Sequence, residues 1–420
     1  MQEADALDAR AILSEAEGRI REHRTAEAQL SFVDRVGKPL PSLAAEVRLV
    51  RHEFKLGANA FRVGAIEDAG PQKAYNERFA ALLNYATLPF YWGGYEPEKD
   101  KTQEARLDAM AAWCKQHHIA AKGHPLVWHE VFPKWAEALD DKEVFRRQEE
   151  RVKQIVYRFQ GRIDIWDVVN EATVSERFSN AVGRWMKERG AAKCVADALR
   201  WADGSNPKAT LLYNDFNVSP AFEKLVEDLL QQGAPVKTIG IQSHMHKGVW
   251  PIERVWEVCE TYARFKLPIH FTEATVLSGD LKKPDDNDWH KRHDDWHSTP
   301  EGEKAQLEYG QQFYTVLFSH PAVEAVTWWD FSDNGSWQGA PAGFIRKDMT
   351  PKPLYEWLMD AFHKRWATDL RVTANPSGVA TARCFFGEHE VRAALPSGEK
   401  LKGRFAIERR GARDLQVVLS

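Results

Sequence analysis

Ile163-Asp164-Ile165-Trp166-Asp167-Val168-Val169-Asn170-Glu171 is largely apolar through its body and turns polar at its end. A strand buried on both faces reads as a nearly continuous apolar run, and a polar end marks where such a strand reaches solvent or a site. Seven other stretches share much of this pattern: 53–60 (EFKLGANA), 82–90 (LLNYATLPF), 120–128 (AAKGHPLVW), 210–217 (TLLYNDFN), 239–246 (IGIQSHMH), 268–276 (PIHFTEATV) and 323–332 (VEAVTWWDFS). Amphipathic stretches lie between them. The helical spacing of i, i+3, i+4 places Ala105, Ala109, Ala112 and Trp113 on one stripe within 102–118. It places Val144, Val152, Ile155, Val156 and Phe159 on another within 141–159, and recurs in 221–230, 251–265 and 353–366. Strands alternating with helices pair in parallel through right-handed crossovers. Eight such units predict a closed (β/α)8 TIM barrel. An open doubly wound sheet would carry a Gly-rich phosphate turn after its first strand, and G-x-G-x-x-G is absent there.

The chain has 420 residues, more than the roughly 250 of a bare barrel. The surplus lies at both ends. Residues 1–24 read as a helix, with Ala9, Ile12, Ala16 and Ile20 recurring every three or four positions. Residues 25–52 read as strands with a Gly-Lys-Pro turn at 37–39. Residues 367–420 give short alternating strands at 380–386, 389–395, 403–409 and 414–419, parted by turns at 376–378 and 396–398. The expected organisation is an N-terminal helix at 1–24, a barrel at 53–366 and a small β-sandwich-like accessory domain at 367–420, with the 25–52 strands packing on it. The charged stretch 280–303, with Trp289 and Trp296, follows the seventh run. It is expected over the barrel mouth as a substrate-contacting lid.

Composition narrows the function classes. Lys+Arg total 57 against 61 Asp+Glu, a net charge of −4, which gives no positive field for holding phosphates and argues against nucleic acid as a partner. Mean hydropathy is −0.52, and no apolar run approaches the length that spans a bilayer. Cys114, Cys194, Cys259 and Cys384 form no C-x-x-C pair and read as small buried thiols. Met1–Arg10 is charged and has no apolar h-region, so no signal peptide is expected. The 16 tryptophans are enough to floor a sugar-binding cleft, since indole offers a flat apolar face with one polar N–H.

Working residues of a barrel stand at the C-terminal ends of its strands. There the fourth run carries Asn170-Glu171 and the seventh Thr272-Glu273. These ends face each other across the rim, so two carboxyls converge among amides, imidazoles and indoles. Such a pair suits glycoside hydrolysis, in which one carboxyl is protonated to donate to the leaving oxygen and the other is ionised to attack the anomeric carbon. Asn170 is placed to bond a sugar hydroxyl, and His244 to orient the ionised glutamate.

Trp166 to Ala172 closely resembles the acid/base motif of glycoside hydrolase family 10, the endo-β-1,4-xylanase family. Gly123 to His129 is similar to its third-strand segment, Leu212 to Asn217 to its fifth, Gly240 to His244 to its sixth, and Phe271-Thr272-Glu273 to its nucleophile motif. Trp329 with Ser332, Asp333, Ser336 and Trp337 resembles its eighth. The resemblance spans roughly residues 50–362. It implies a retaining endo-acting β-glycosidase cleaving β-1,4-linked xylan or a related plant or marine β-glycan, with Glu171 as acid/base and Glu273 as nucleophile. His124, Trp128, His129, Asn170, Asn214, Gln242, His244, Trp329 and Trp337 would then contact substrate. Cofactors and metals are not implied, a monomer is expected, and the family setting is secreted or periplasmic.

Three departures stand out. The family's second strand ends in a Glu-Asn pair and a Lys that hold sugar units on the non-reducing side, whereas this chain reads Thr87 to Pro97 with Tyr91 and Trp92 offering aromatic surface instead. Thr275 stands where the family has Asp, and Trp329-Asp330 where Trp-Gly is usual. Two other classes remain open at this point. A metal-dependent barrel hydrolase could draw ligands from His244, His246, His124, His129, His270 and Asp330. A non-catalytic glycan-binding barrel would keep the fold and lose turnover.

Overall fold

The computed structural model describes residues 8–420; the first seven residues of the expected 1–24 helix lie outside the described residues. The chain forms two compact units. One comprises Leu56–Gln306 and Ala322–Lys352, the other Met1–Lys55, Leu307–Pro321 and Pro353–Ser420.

The first unit is built on a closed parallel barrel. Its strands in order are Lys55–Asn59, Tyr85–Pro89, Ala120–His124, Ile165–Asn170, Thr210–Asp215, Thr238–His244, Ile269–Thr275 and Val323–Trp328, hereafter strands one to eight. Each falls within or overlaps one of the eight apolar runs. Helices alternate with them, among them Ala69–Leu82, Glu104–Gln116, Asp141–Arg158, Ala191–Ser205, Pro220–Gln231 and Ile252–Ala263. Strand four is buried along its length apart from Ile165, which is why its sequence runs apolar without alternation. Close packing fixes particular residues. A Cβ on Gly123 would lie 2.0 Å from the Trp166 ring, and one on Gly240 would lie 2.6 Å from the Asn214 amide oxygen. Both strands therefore need glycine to lie where they do.

The helix Asp141–Arg158 buries Val144, Val152, Ile155 and Val156 as its periodicity predicts. Glu104–Gln116 corrects the other stripe: it buries Leu107, Met110, Ala111 and Cys114, while Ala105, Ala109 and Ala112 are exposed. Alanine is indifferent to either face of a helix, and the larger side chains decide the rotation. Of the 280–303 stretch, the last four residues are the first turn of the helix Pro300–Ser319; the rest is loop.

The second unit holds two sheets around one apolar core. Val379–Phe385, Thr25–Val33 and Asp414–Val418 form a three-stranded sheet, with Thr25–Val33 in the middle. Asp369–Thr373, Ala44–His52, Gly387–Ala394 and Lys400–Ile407 form a four-stranded one in that order. Leu30, Phe32, Val47, Cys384, Val391, Ile407 and Val417 are buried together. The N-terminal strands thus occupy central places in both accessory sheets. The leading helix breaks at Glu15 into Ala9–Ser14 and Ala16–Arg24, with Ile12, Ala16 and Ile20 buried. All four cysteines are free and buried. Among the described residues, no helix is long and apolar enough to cross a membrane.

Candidate active site

The strand ends open on one cavity of about 780 Å³. His124, Trp128, Asn170 and Glu171 reach it from strands three and four and the residues after them. Gln242, His244, Glu273, Trp329 and Trp337 reach it from strands six to eight and their loops, and Tyr91 from the segment after strand two.

Glu171 takes the left-handed conformation, φ 58° and ψ 39°. A non-glycine residue there carries strain that its surroundings must hold in place. Asn170 Nδ2 and Gln242 Nε2 donate to its Oε1 at 2.9 and 2.8 Å, and Trp128 Nε1 donates to its Oε2 at 3.1 Å. Burial, and then the charge of Glu273, push its pKa up to about 8. Glu273 is 4% exposed yet shifts the other way. Burial works against its ionisation, but the neighbouring His124, a hydrogen bond with His244, and Lys122 outweigh it and hold the carboxyl below its ordinary value. Asn214 Nδ2 donates to Glu273 Oε1 at 2.8 Å, and His244 Nε2 lies 3.0 Å from Oε2.

The two carboxyls share a framework. Asn170 Oδ1 accepts from Asn214 Nδ2 at 2.7 Å and from Gln242 Nε2 at 3.1 Å, so the amides that hold one glutamate also hold the other. His244 Nδ1 is 2.8 Å from Thr275 Oγ1; a neutral hydroxyl orients this ring where the family resemblance leads one to expect a carboxylate. Behind His124 lies a buried relay that sequence reading missed. His124 Nδ1 is 2.7 Å from Asp167 Oδ2, which also pairs with Lys122 Nζ at 2.6 Å, and neither Lys122 nor Asp167 has any exposed surface. A lysine and an aspartate inside otherwise apolar strands were the signal available in the sequence, because such charges persist in a core only when paired.

Some expected contacts fall elsewhere. Trp92 does not face the cavity; it packs with Val144, Ala181, Phe132 and Trp135, and its Nε1 donates to Glu96 at 3.0 Å. Asn214 is fully buried behind Glu273. His129 packs on Phe178 with ring centroids 3.9 Å apart and the planes tilted by 36°. Conversely, Phe61, Arg62, Glu130 and Asp330 line the cavity without having been singled out as sugar contacts, and Trp289 and His290 of the expected lid stretch line it too. Trp289 stacks on Trp337 at 5.9 Å and 20°, its carbonyl accepts from Gln338 Nε2 at 2.8 Å, and the Lys282 ammonium sits 5.3 Å over its ring. His290 Nε2 approaches Glu130 Oε2 at 3.9 Å, joining loops that follow strands seven and three on opposite sides of the mouth.

The six side chains considered as metal ligands do not come together. Among the described residues, the one set with ligand atoms within 4.8 Å of one another is His129, Glu130 and Glu171. Glu171 there already accepts three hydrogen bonds. Taken together, the site offers one carboxyl held protonated and one held ionised, inside a cavity walled by indoles and amides. That is an arrangement for acid-assisted displacement at a saturated carbon bearing two oxygens.

Residues 55–361 match the sequence model of Glycosyl hydrolase family 10. The chain is 28% identical over 282 residues to endo-1,4-beta-xylanase B of Thermotoga neapolitana, covering 63% of this chain and 75% of that protein. It is 29% identical over 354 residues to endo-1,4-beta-xylanase A of Caldicellulosiruptor sp., covering 77% of this chain but 49% of the longer relative. Among solved structures, xylanase 10B of Thermotoga petrophila in complex with xylobiose superposes with a TM-score of 0.62 at 24% identity, covering 74% of this chain and 95% of the other.

Proposed function

The chain belongs to glycosyl hydrolase family 10, and from that membership we propose that it cleaves β-1,4-linked xylan or a related β-glycan by retaining double displacement. Glu171 is the acid/base and Glu273 the nucleophile. The observation that carries this reading is the opposite displacement of the two carboxyls, one raised to about 8 and the other lowered. A single environment that splits a carboxyl pair in this way supports reading one as acid and the other as nucleophile.

In the first step a Glu273 oxygen attacks the anomeric carbon while Glu171 gives its proton to the glycosidic oxygen. The C–O bond breaks, the leaving sugar departs as an alcohol, and an ester joins Glu273 to the retained sugar. Glu273 has then lost its negative charge, which was one of the causes holding the Glu171 proton. Glu171 becomes a stronger acid, and its carboxylate can take a proton from water. That water attacks the anomeric carbon, the ester breaks, and Glu273 is restored. Asn214 and His244 hold Glu273 throughout, and Trp128, Asn170 and Gln242 hold Glu171.

The test is the configuration of the first product. NMR of fresh hydrolysate from xylo-oligosaccharide should show the β-anomer before mutarotation. An initial α-anomer would mean inversion and a different role for Glu273, and no hydrolysis on xylan, glucuronoxylan, mixed-linkage glucan or aryl β-glycosides would remove the catalytic reading.

A further inference from the structure

Strand eight is followed by Trp329-Asp330, and Asp330 has no part in the displacement just described. It is 5% exposed and lines the substrate cavity. Its Oδ1 accepts the Trp337 backbone N–H at 3.1 Å. Among the described residues its Oδ2 makes no hydrogen bond of ordinary length, and the Asn59 side chain is near enough only for a weak, long contact with the carboxyl. An open carboxyl oxygen in a buried place is costly unless something pairs with it, and burial raises this carboxyl to about 7 even though Trp337, Asn59 and Lys352 favour the ionised form.

The place matters as much as the atom. Strands eight, one and two are neighbours around the barrel. Asp330, Asn59, Arg62 and Tyr91 all line the cavity from this arc. Arg62 is tied to Asn334 through NH2 at 3.2 Å and leaves its buried Nε without a partner. Phe61 meets Tyr91 edge-on at 6.0 Å and Trp329 at 5.6 Å, so aromatic surface walls the rest of the arc. Glu171, on strand four, gives its proton to the leaving group, which places the departing sugar over strands four to six. The sugar retained on Glu273 then lies over the opposite arc, beside Asp330. That arc lacks the second-strand carboxylate, amide and ammonium expected there.

We propose that Asp330 binds a free hydroxyl of the retained sugar through Oδ2, making it a specificity-determining residue that restricts cleavage to glycans unsubstituted at that hydroxyl. A buried polar atom left unpaired penalises any sugar that cannot complete the bond, and an O-acyl or O-glycosyl substituent at that hydroxyl removes the donor and fills the space. This inference rests on the assignment of Glu171 and Glu273 for its orientation of the substrate.

The test compares wild type, Asp330→Ala and Asp330→Asn. The Asn variant keeps the acceptor for Trp337 and changes only the group at the Oδ2 position. On 4-nitrophenyl β-xylobioside, Asp330→Ala should lower kcat/KM by about ten- to a hundredfold, the range for leaving the buried sugar hydroxyl without its partner. Most of the change should appear in KM. Asp330→Asn should fall between the two, because its amide nitrogen donates but no longer accepts. Unchanged kcat/KM in both variants overturns the proposal, and so does a fall confined to kcat, which would mean that Asp330 only positions Trp337. If Asp330→Ala fails to fold, judged by its melting curve, the Asn variant decides alone. Xylotriose affinity measured by calorimetry in the same proteins separates the two readings. Weaker binding in the variants with no turnover in wild type would leave Asp330 in its role and remove the catalytic assignment; equal binding would remove Asp330.

Discussion

Asn214 Nδ2 bonds Asn170 Oδ1 at 2.7 Å and Glu273 Oε1 at 2.8 Å, so one amide group supports both carboxyls of the proposed catalytic pair. Asn214 is out of reach of substrate, and its effect should therefore be indirect. Asn214→Ala removes a donor that favours ionised Glu273 and should move the acid limb of the pH–rate profile upward. A loss of about tenfold in kcat with little change in KM is expected, the scale of one lost charge-assisted hydrogen bond. Steady-state kinetics between pH 4 and 7 check both.

The wild-type profile should itself be a bell. Turnover needs Glu273 ionised and Glu171 protonated. Activity is lost on the acid side below the ordinary carboxylate value of 4.5, and on the alkaline side as pH rises through about 8. A profile of kcat/KM falling already at pH 6 would contradict the alkaline assignment.

Glu273→Ala should abolish hydrolysis on every substrate. Glu171→Ala should cost about 10²–10⁴-fold on xylo-oligosaccharides, the usual worth of a general acid. On aryl glycosides with good leaving groups the first step should survive, because those leave without protonation. Burst kinetics with 4-nitrophenol release distinguish the two variants.

Stability offers an independent reading of Glu171. Its folded pKa of about 8 exceeds the ordinary 4.5. The folded protein therefore holds a proton that the unfolded chain releases. The associated stability is complete below 4.5 and is lost as pH rises through 8. Glu171→Gln does not titrate, so its melting temperature should gain on wild type by a few degrees between pH 5 and pH 8, measured by calorimetry.

Trp289 should act as a binding surface. Its ring is held on Trp337 and under Lys282, so removing it exposes no new cavity in the barrel core. Trp289→Ala should raise KM for xylo-oligosaccharides by roughly tenfold, the worth of about 1.4 kcal/mol of aromatic contact, and leave kcat nearly unchanged. A KM unaltered across chain lengths would make the loop a bystander.

The barrel could be read from the sequence because each strand is buried on both faces and leaves its mark as an apolar run with a polar end. That Glu171 and Glu273 meet at one cavity followed from the same rule, since the rim of a parallel barrel gathers the ends of all eight strands. Helix rotation was less legible where alanine dominates, as at Ala105, Ala109 and Ala112. Trp92 misled because a tryptophan at a strand end looks the same whether it faces sugar or turns, as here, into the short helix Trp92–Tyr95 and bonds Glu96. The place of Asp330 and Arg62 on the cavity wall stayed hidden because it depends on strands one and eight meeting, which closes the barrel between opposite ends of its sequence.

Lys122 and Asp167 form an ion pair with no access to water, and Asp167 also faces His124. Loss of either partner strands the other charge in the interior, at a cost on the order of 3–5 kcal/mol, whereas an apolar pair of equal volume could be tolerated by the fold. Such a double replacement would keep the scaffold and cut His124 loose from its anchor. The pair is therefore expected to stay unchanged through descent while turnover is under selection, and to change jointly once only the scaffold is.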